Sequence, residues 1–324
     1  MKTAMRAAGL LVFLAFLCAL PSIGWAQKKD SFPTKPIQNI CSWAPGGSSD
    51  LSQRLVASLI PKYLGQSMIV VNKPGGAAVP GTTEIARSKP DGYTIGINWY
   101  ASFVLRPYVL EVPYKTGDFE FILAMVRQRN VFAVRSDSPF KTLKDLVDFA
   151  KKNPGKLRFS GSPTASWQHL AGMHFNQVAG IETQFVPYDG GRPSVVAMLG
   201  GHIEYIVGQP AEWSGELKAG QIRILASIEK ERMPALPDVP TLLELGYKVA
   251  HPHMMVIVAP KGVPAERIKK IHDAYKQTIE SAEFKELADK MVLEVEYKSG
   301  ADVLKEIQEL NAVYSKLVPT ILKK

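Results

Sequence analysis

Cysteine is scarce in this chain: Cys18 and Cys41 are the only two in 324 residues. That excludes a disulfide scaffold and a structural zinc module, both of which need several closely spaced thiols. Runs of one charge are missing too. No Lys/Arg stretch exceeds a pair and no recognition-helix signature occurs, so nucleic acid is not the expected partner. Long apolar runs are absent apart from one at the N-terminus, which excludes a polytopic membrane protein. No repeat of solenoid period is visible. Catalytic signatures are lacking as well. There is no Gly-x-Ser-x-Gly elbow, no His-Glu-x-x-His helix and no suggestive pair of carboxylates. His251-Pro252-His253 is too closely spaced for the i,i+4 metal pair of a helix. A binder without cofactor or metal is expected, not an enzyme.

The apolar run sets the compartment. Lys2 and Arg6 precede an 11-residue core, Leu10–Leu20, which Pro21 and Gly24 end. The core is too short to span a bilayer, which takes about 20 residues. Gly24 and Ala26 present small residues at −3 and −1. Residues 1–26 therefore read as a secretory signal peptide cut before Gln27, and the protein is expected in the periplasm. Cys18 follows Leu17, where a lipobox needs a small residue, and it leaves with the leader. The full chain carries 39 basic and 30 acidic residues, a net +9. The leader takes two basic residues with it and leaves +7. A basic exported protein suits small anions.

From Lys35 onward, strand and helix signals alternate. Strands are predicted over 37–43, 68–71, 93–98, 131–135, 157–160, 183–186, 203–207, 222–227 and 254–259. Helical stripes lie between them, such as Leu51, Leu55, Val56 and Leu59. Another follows at the C-terminus, through Val303, Ile307, Leu310, Tyr314 and Leu317. This pattern predicts parallel sheets covered by helices. Two sheets fit better than one. The first domain takes 27–127, the second 128–250, and 251–324 returns to the first, with only helices and a short tail after the strand at 254–259. Two crossings make a hinge with a cleft beside it.

Four loops carry the candidate site. Trp43-Ala44-Pro45-Gly46-Gly47-Ser48-Ser49-Asp50 joins a strand to a helix. Gly46 and Gly47 let a ligand approach the backbone, Ser48 or Ser49 is expected to cap the helix, and its free N–H groups suit an anion. The segment around Ser160, Ser162, Thr164 and Ser166 has the same construction in the second half. Asp189 and Arg192 flank a third Gly loop, where Arg192 can grip a carboxylate with its fork. Asn98, Trp99 and Tyr100 end the third strand. With Trp43 and Trp167 they form either an aromatic wall on which a flat acid can stack, or core rings that leave a site for a small aliphatic dicarboxylate.

These segments, in this order, resemble the Bug family, the periplasmic solute receptors of tripartite tricarboxylate transporters. The resemblance begins at Phe32-Pro33-Thr34-Lys35-Pro36-Ile37 and Pro45-Gly46-Gly47-Ser48-Ser49-Asp50. It continues through Val71-Asn72-Lys73-Pro74-Gly75-Gly76, Lys89-Pro90-Asp91-Gly92-Tyr93-Thr94 and Asn153-Pro154-Gly155-Lys156-Leu157. Gln168-His169-Leu170-Ala171-Gly172, Val186-Pro187-Tyr188, Leu199-Gly200-Gly201-His202-Ile203 and Leu236-Pro237-Asp238-Val239-Pro240-Thr241 complete it. The resemblance implies an α/β, two-domain type II periplasmic-binding fold with a hinge and an interdomain cleft. It implies a small carboxylate-bearing ligand, gripped by the four loops and handed to a membrane permease. Docking of the same receptor onto a membrane signalling protein, as a ligand sensor, is the alternative. The sequence departs from the family where Trp167 stands for a serine, Asp189 for a lysine and Arg192 for a small residue.

Overall fold

The computed structural model describes residues 31–43, 45–161, 164–188, 190–291 and 293–322. The expected signal peptide and cleavage point lie outside them, as do Ser162 and Asp189.

Eleven strands form two sheets among the described residues. The first contains β1 (Ile37–Cys41), β2 (Met68–Asn72), β3 (Thr94–Trp99), β4 (Phe119–Arg127), β10 (Met254–Pro260) and β11 (Val295–Ser299). Its order is β11-β4-β10-β3-β1-β2. The second holds β5 (Val131–Arg135), β6 (Arg158–Ser160), β7 (Gln184–Phe185), β8 (Tyr205–Gly208) and β9 (Ile222–Ser227), in the order β7-β6-β8-β5-β9. The helices used below are α1 (Ser48–Leu59), α2 (Val79–Arg87), α3 (Leu143–Lys152), α4 (Trp167–Ala179), α5 (Gly191–Leu199), α6 (Ala265–Glu280) and α7 (Gly300–Leu322).

The sheets are mixed rather than parallel. β1 runs parallel to β2 and β3, and β6 to β7 and β8. β10 is antiparallel to β3 and β4, while β5 is antiparallel to β8 and β9. The reversed strands are those where the chain changes sheets, between Arg127 and Val131 and again between Ser227 and Met254. They enter without a βαβ crossover to set their direction. Two strands, β4 and β11, escaped the sequence pattern, and the C-terminal region is more than helices and a tail because β11 pairs with β4 there.

Local chemistry explains the best-formed elements. Thr142 caps α3 by accepting from the Asp145 N–H, while the Asp145 carboxylate accepts from the Thr142 N–H, a reciprocal capping box. Leu143, Leu146, Val147 and Ala150 bury one face of that helix against the second sheet. In the first sheet Asn39 on β1 donates to Gln53 at 2.8 Å and to the Tyr275 hydroxyl on α6 at 2.9 Å, so a buried polar group is carried by its neighbours.

The two sheet changes lie side by side. Gln128 N–H donates to the His253 carbonyl at 2.9 Å and Ile228 N–H to the Asn130 carbonyl at 3.1 Å. Arg127 bridges Glu229 at 2.7 Å and Glu296 at 2.5 Å, with Glu229 fully buried. Removing one partner of such a pair costs about 3–5 kcal/mol because a charge is left buried alone, so the pair holds the two crossings together.

Candidate functional site

The loops that matter follow the C-terminal ends of β1, β3, β6 and β7, where α/β sheets bind ligands. In the first, Gly46 has φ +81°, a conformation L side chains resist. This lets its N–H donate to Asp50 Oδ2 at 2.9 Å. Asp50 also accepts from Arg54 Nε and Asn72 Nδ2, both at 2.9 Å. Burial opposes its charge, but bonds from Arg54, Gly46 and Asn72 outweigh that and hold the carboxyl below the usual aspartate range. The cap of α1 is Gly47, not Ser48 or Ser49. Ser48 is the first helical residue, exposed, with its hydroxyl past the capping position. Ser49 turns inward and accepts from Trp99 Nε1 at 2.9 Å. Trp43 is half-buried; its carbonyl takes Asn72 Nδ2 at 3.0 Å.

At the end of β3, Asn98 is fully buried. Its Oδ1 accepts from Thr82 and Ser102 at 2.9 and 3.0 Å, while Nδ2 has no partner. Tyr100 lies in the core with its hydroxyl on Glu306 at 2.8 Å. The aromatic residues form no open wall. Trp99, His253, Trp167 and Tyr314 stack face to face, with centroid separations of 5.0, 4.4 and 5.2 Å. Trp99 and Trp167 are buried within that stack. A flat, partly apolar ring finds its best surroundings between other rings, and His253 supplies the missing slice.

In the second half, Ser160 is buried and hydrogen-bonded to Ser194 at 3.0 Å. Gly161 is obligatory: a Cβ there would lie 1.9 Å from the Val207 carbonyl oxygen. Thr164 is exposed. Ser166 caps α4, accepting from the His169 N–H at 3.2 Å. Ala165 takes a left-handed φ of 57°, and its N–H donates to His169 Nδ1 at 3.1 Å. Burial lowers the His169 pKa to about 4, so the ring is neutral and its Nδ1 accepts. Arg192 stands 58% exposed and pairs with Glu216 at 2.6 Å.

Two residues come to the site that sequence reading passed over. Arg106, half-buried, reaches across to the second half and donates from Nη1 to the Ala165 carbonyl at 3.4 Å. No carboxylate among the described residues pairs with it. Burial lowers its pKa, with only Tyr114 opposing. His253 is buried with Nδ1 unpaired. Burial first, then Arg106, pushes its pKa down to about 3. The available signal was a single charge in the apolar stretch Tyr100–Leu110. Among the described residues no group of three or more metal-ligating side chains is assembled.

Arg106, bonded only to the Ala165 carbonyl among the described residues, and His253, stacked on Trp167, thus meet at the head of α4. Comparison with known proteins gives the family. The model of the tripartite tricarboxylate transporter family receptor, TctC, matches residues 53–321. The chain belongs to this family. A UPF0065 protein from the gbd 5′ region of Cupriavidus necator is 32% identical over 285 residues, covering 88% of this chain and 86% of the relative. Protein BugT of Bordetella pertussis is 29% identical over 277 residues, covering 84% and 85%. A crystal structure of a TctC solute-binding protein from Polaromonas superposes with TM-score 0.83 at 25% identity, covering 90% of this chain and all of the other. The TctC receptors are solute-binding proteins with the two-domain periplasmic-binding fold, not enzymes. In this TctC receptor the family fold brings Arg106 and His253 to the head of α4.

Proposed function

We propose that this receptor, exported behind its signal peptide, closes on a small carboxylate-bearing anion and delivers it to the membrane permease of a tripartite tricarboxylate transporter. The division into 27–127, 128–250 and 251–324 serves as its working domain scheme. The observation that carries the reading is Arg106, a half-buried guanidinium beside the head of α4 that has no acidic partner among the described residues. A cation withdrawn from water without a counter-ion is costly, and an incoming carboxylate relieves that cost. The loop residues Trp43, Gly46, Gly47, Ser48, Asn98, Trp99, Ser160, Ser162, Thr164 and Ser166 surround the solute on this reading. Tyr100, Asp189 and Arg192 are the remaining members of the proposed set.

Ligand-stripped receptor titrated with small carboxylates should release heat and melt higher, because a ligand that binds only the folded state stabilises it by mass action. Arg106→Gln should weaken binding roughly ten- to hundredfold, the worth of one hydrogen bond to a charged group at about 1.5–3 kcal/mol. Its own melting temperature should not fall, since no ion pair is broken. A carboxylate panel that gives neither heat nor a melting shift, or a variant that binds like the parent, removes the proposal.

A further inference from the structure

We infer that the solute carries a single carboxylate, with a hydrogen-bond donor or a cation at its far end rather than a second acid. This rests on the receptor reading above and sharpens it. Three helices begin at the loops of the site, α1, α4 and α5, and each head presents roughly half a positive charge. Two of the three already face a carboxylate of the chain itself. Asp50 sits in the first turn of α1, buried, and takes the Gly46 N–H. Glu212 Oε2 lies against the head of α5, so close that a Cβ at Gly191 would be only 1.6 Å from it. Glu212 is exposed and has no ion-pair partner among the described residues.

The head of α4 differs. Its first turn contains no acid, and its own donors are met by the uncharged Ser166 and His169 side chains. Arg106 leans on the Ala165 carbonyl just ahead of it. His253, buried and with an unpaired Nδ1, stacks on Trp167, the first residue of α4. One place therefore keeps an uncompensated positive field, and it fits one carboxylate. Among the described residues, the arginines at the other two heads, Arg54 and Arg192, are each paired with a carboxylate of the chain. Arg192, the residue whose type suggested a carboxylate grip, is tied to Glu216 and turned to solvent. Asp50 is already paired with Arg54, so a second acid would meet the field of Glu212, whereas an amine or hydroxyl at the far end finds in Glu212 an acceptor with free lone pairs.

The test is calorimetric titration of ligand-stripped receptor with chain-matched acids of three to six carbons. Each length is offered as the ω-amino acid, the ω-hydroxy acid and the dicarboxylate. The best amino or hydroxy acid should bind at least tenfold more tightly than the dicarboxylate of the same length. Glu212→Gln should shrink that ratio by about tenfold, chiefly by improving the dicarboxylate. Dicarboxylates that bind parent receptor more tightly than their partners, and lose affinity in Arg106→Gln, overturn the single-acid inference and leave the receptor reading intact. No binding by any acid of the panel overturns both.

Discussion

Asp50 shows how much of one side chain's work depends on its neighbours. Three donors from three segments converge on it, and they fold the Trp43–Ser49 loop back onto its own helix. Asp50→Asn keeps the shape and loses the charge, so stability should fall by about 2 kcal/mol, measured as a lower urea midpoint. An unchanged midpoint would mean that the loop is held by its backbone alone. Much at this scale was legible. The Gly-Gly-Ser-Ser-Asp string announced a helix head with a carboxylate in its first turn, and Ser166 read correctly as a hydroxyl at a helix start. The particular cap at α1 was not legible, because Gly47 caps with backbone geometry and leaves no side-chain signature. Arg106 and His253 escaped for a different reason. Each matters through what it lacks, a partner, and absence of a partner is a property of three-dimensional neighbours.

Nine of the eleven described strands were legible, the antiparallel β5, β9 and β10 among them, and β4 and β11 were not. β4 reads Phe-Glu-Phe-Ile-Leu-Ala-Met-Val-Arg, a nearly unbroken apolar run just before the first change of sheet. Its identity as a strand comes from β10 and β11 on either side, far away in sequence. β11 is half-buried at every position and so has no alternation to read. The start of α2 was equally opaque. Gly75, Gly76, Ala77 and Ala78 all have positive φ, and the last two are alanines at 53° and 72°. The left-handed region costs an ordinary residue roughly 1–2 kcal/mol. Ala77 is exposed, so packing does not complicate a test there. Ala77→Gly should be neutral to about 0.5 kcal/mol stabilising, once relieved strain is set against the greater freedom of the unfolded glycine. Ala77→Val should cost at least about 1 kcal/mol, because a β-branched residue suffers more in this conformation. Equal stabilities of the two variants in chemical denaturation would show that the turn relaxes instead of holding its strain.

For the whole molecule, buried histidines set the response to acid. His169 and His253 have folded pKa values of about 4 and about 3, and burial lowers His174 and His251 too. An unfolded histidine titrates near 6.5. Between that value and the folded one, the unfolded chain holds the proton and the native chain does not, so acid favours unfolding. Stability should therefore be complete above about pH 6.5 and decline as pH falls toward 4 and then 3, by up to roughly 1.4 kcal/mol per pH unit for each such histidine. Differential scanning calorimetry from pH 7.5 to 4.5 checks this, and a flat melting temperature across that range would contradict it. Lowered carboxyls such as Asp50 and Asp145 begin to lose their contribution only below about pH 5, so the histidines act alone between about pH 6.5 and 5. The stack of Trp99, His253, Trp167 and Tyr314 carries one more consequence. Trp99 ends a strand of the first sheet and Trp167 starts a helix on the second, yet both indoles rest on one imidazole. Any separation of the sheets strips at least one indole from that ring and wets it. Emission then moves to the red, and near-ultraviolet circular dichroism fades with it. The molecule thus contains its own optical gauge of closure, readable without a label.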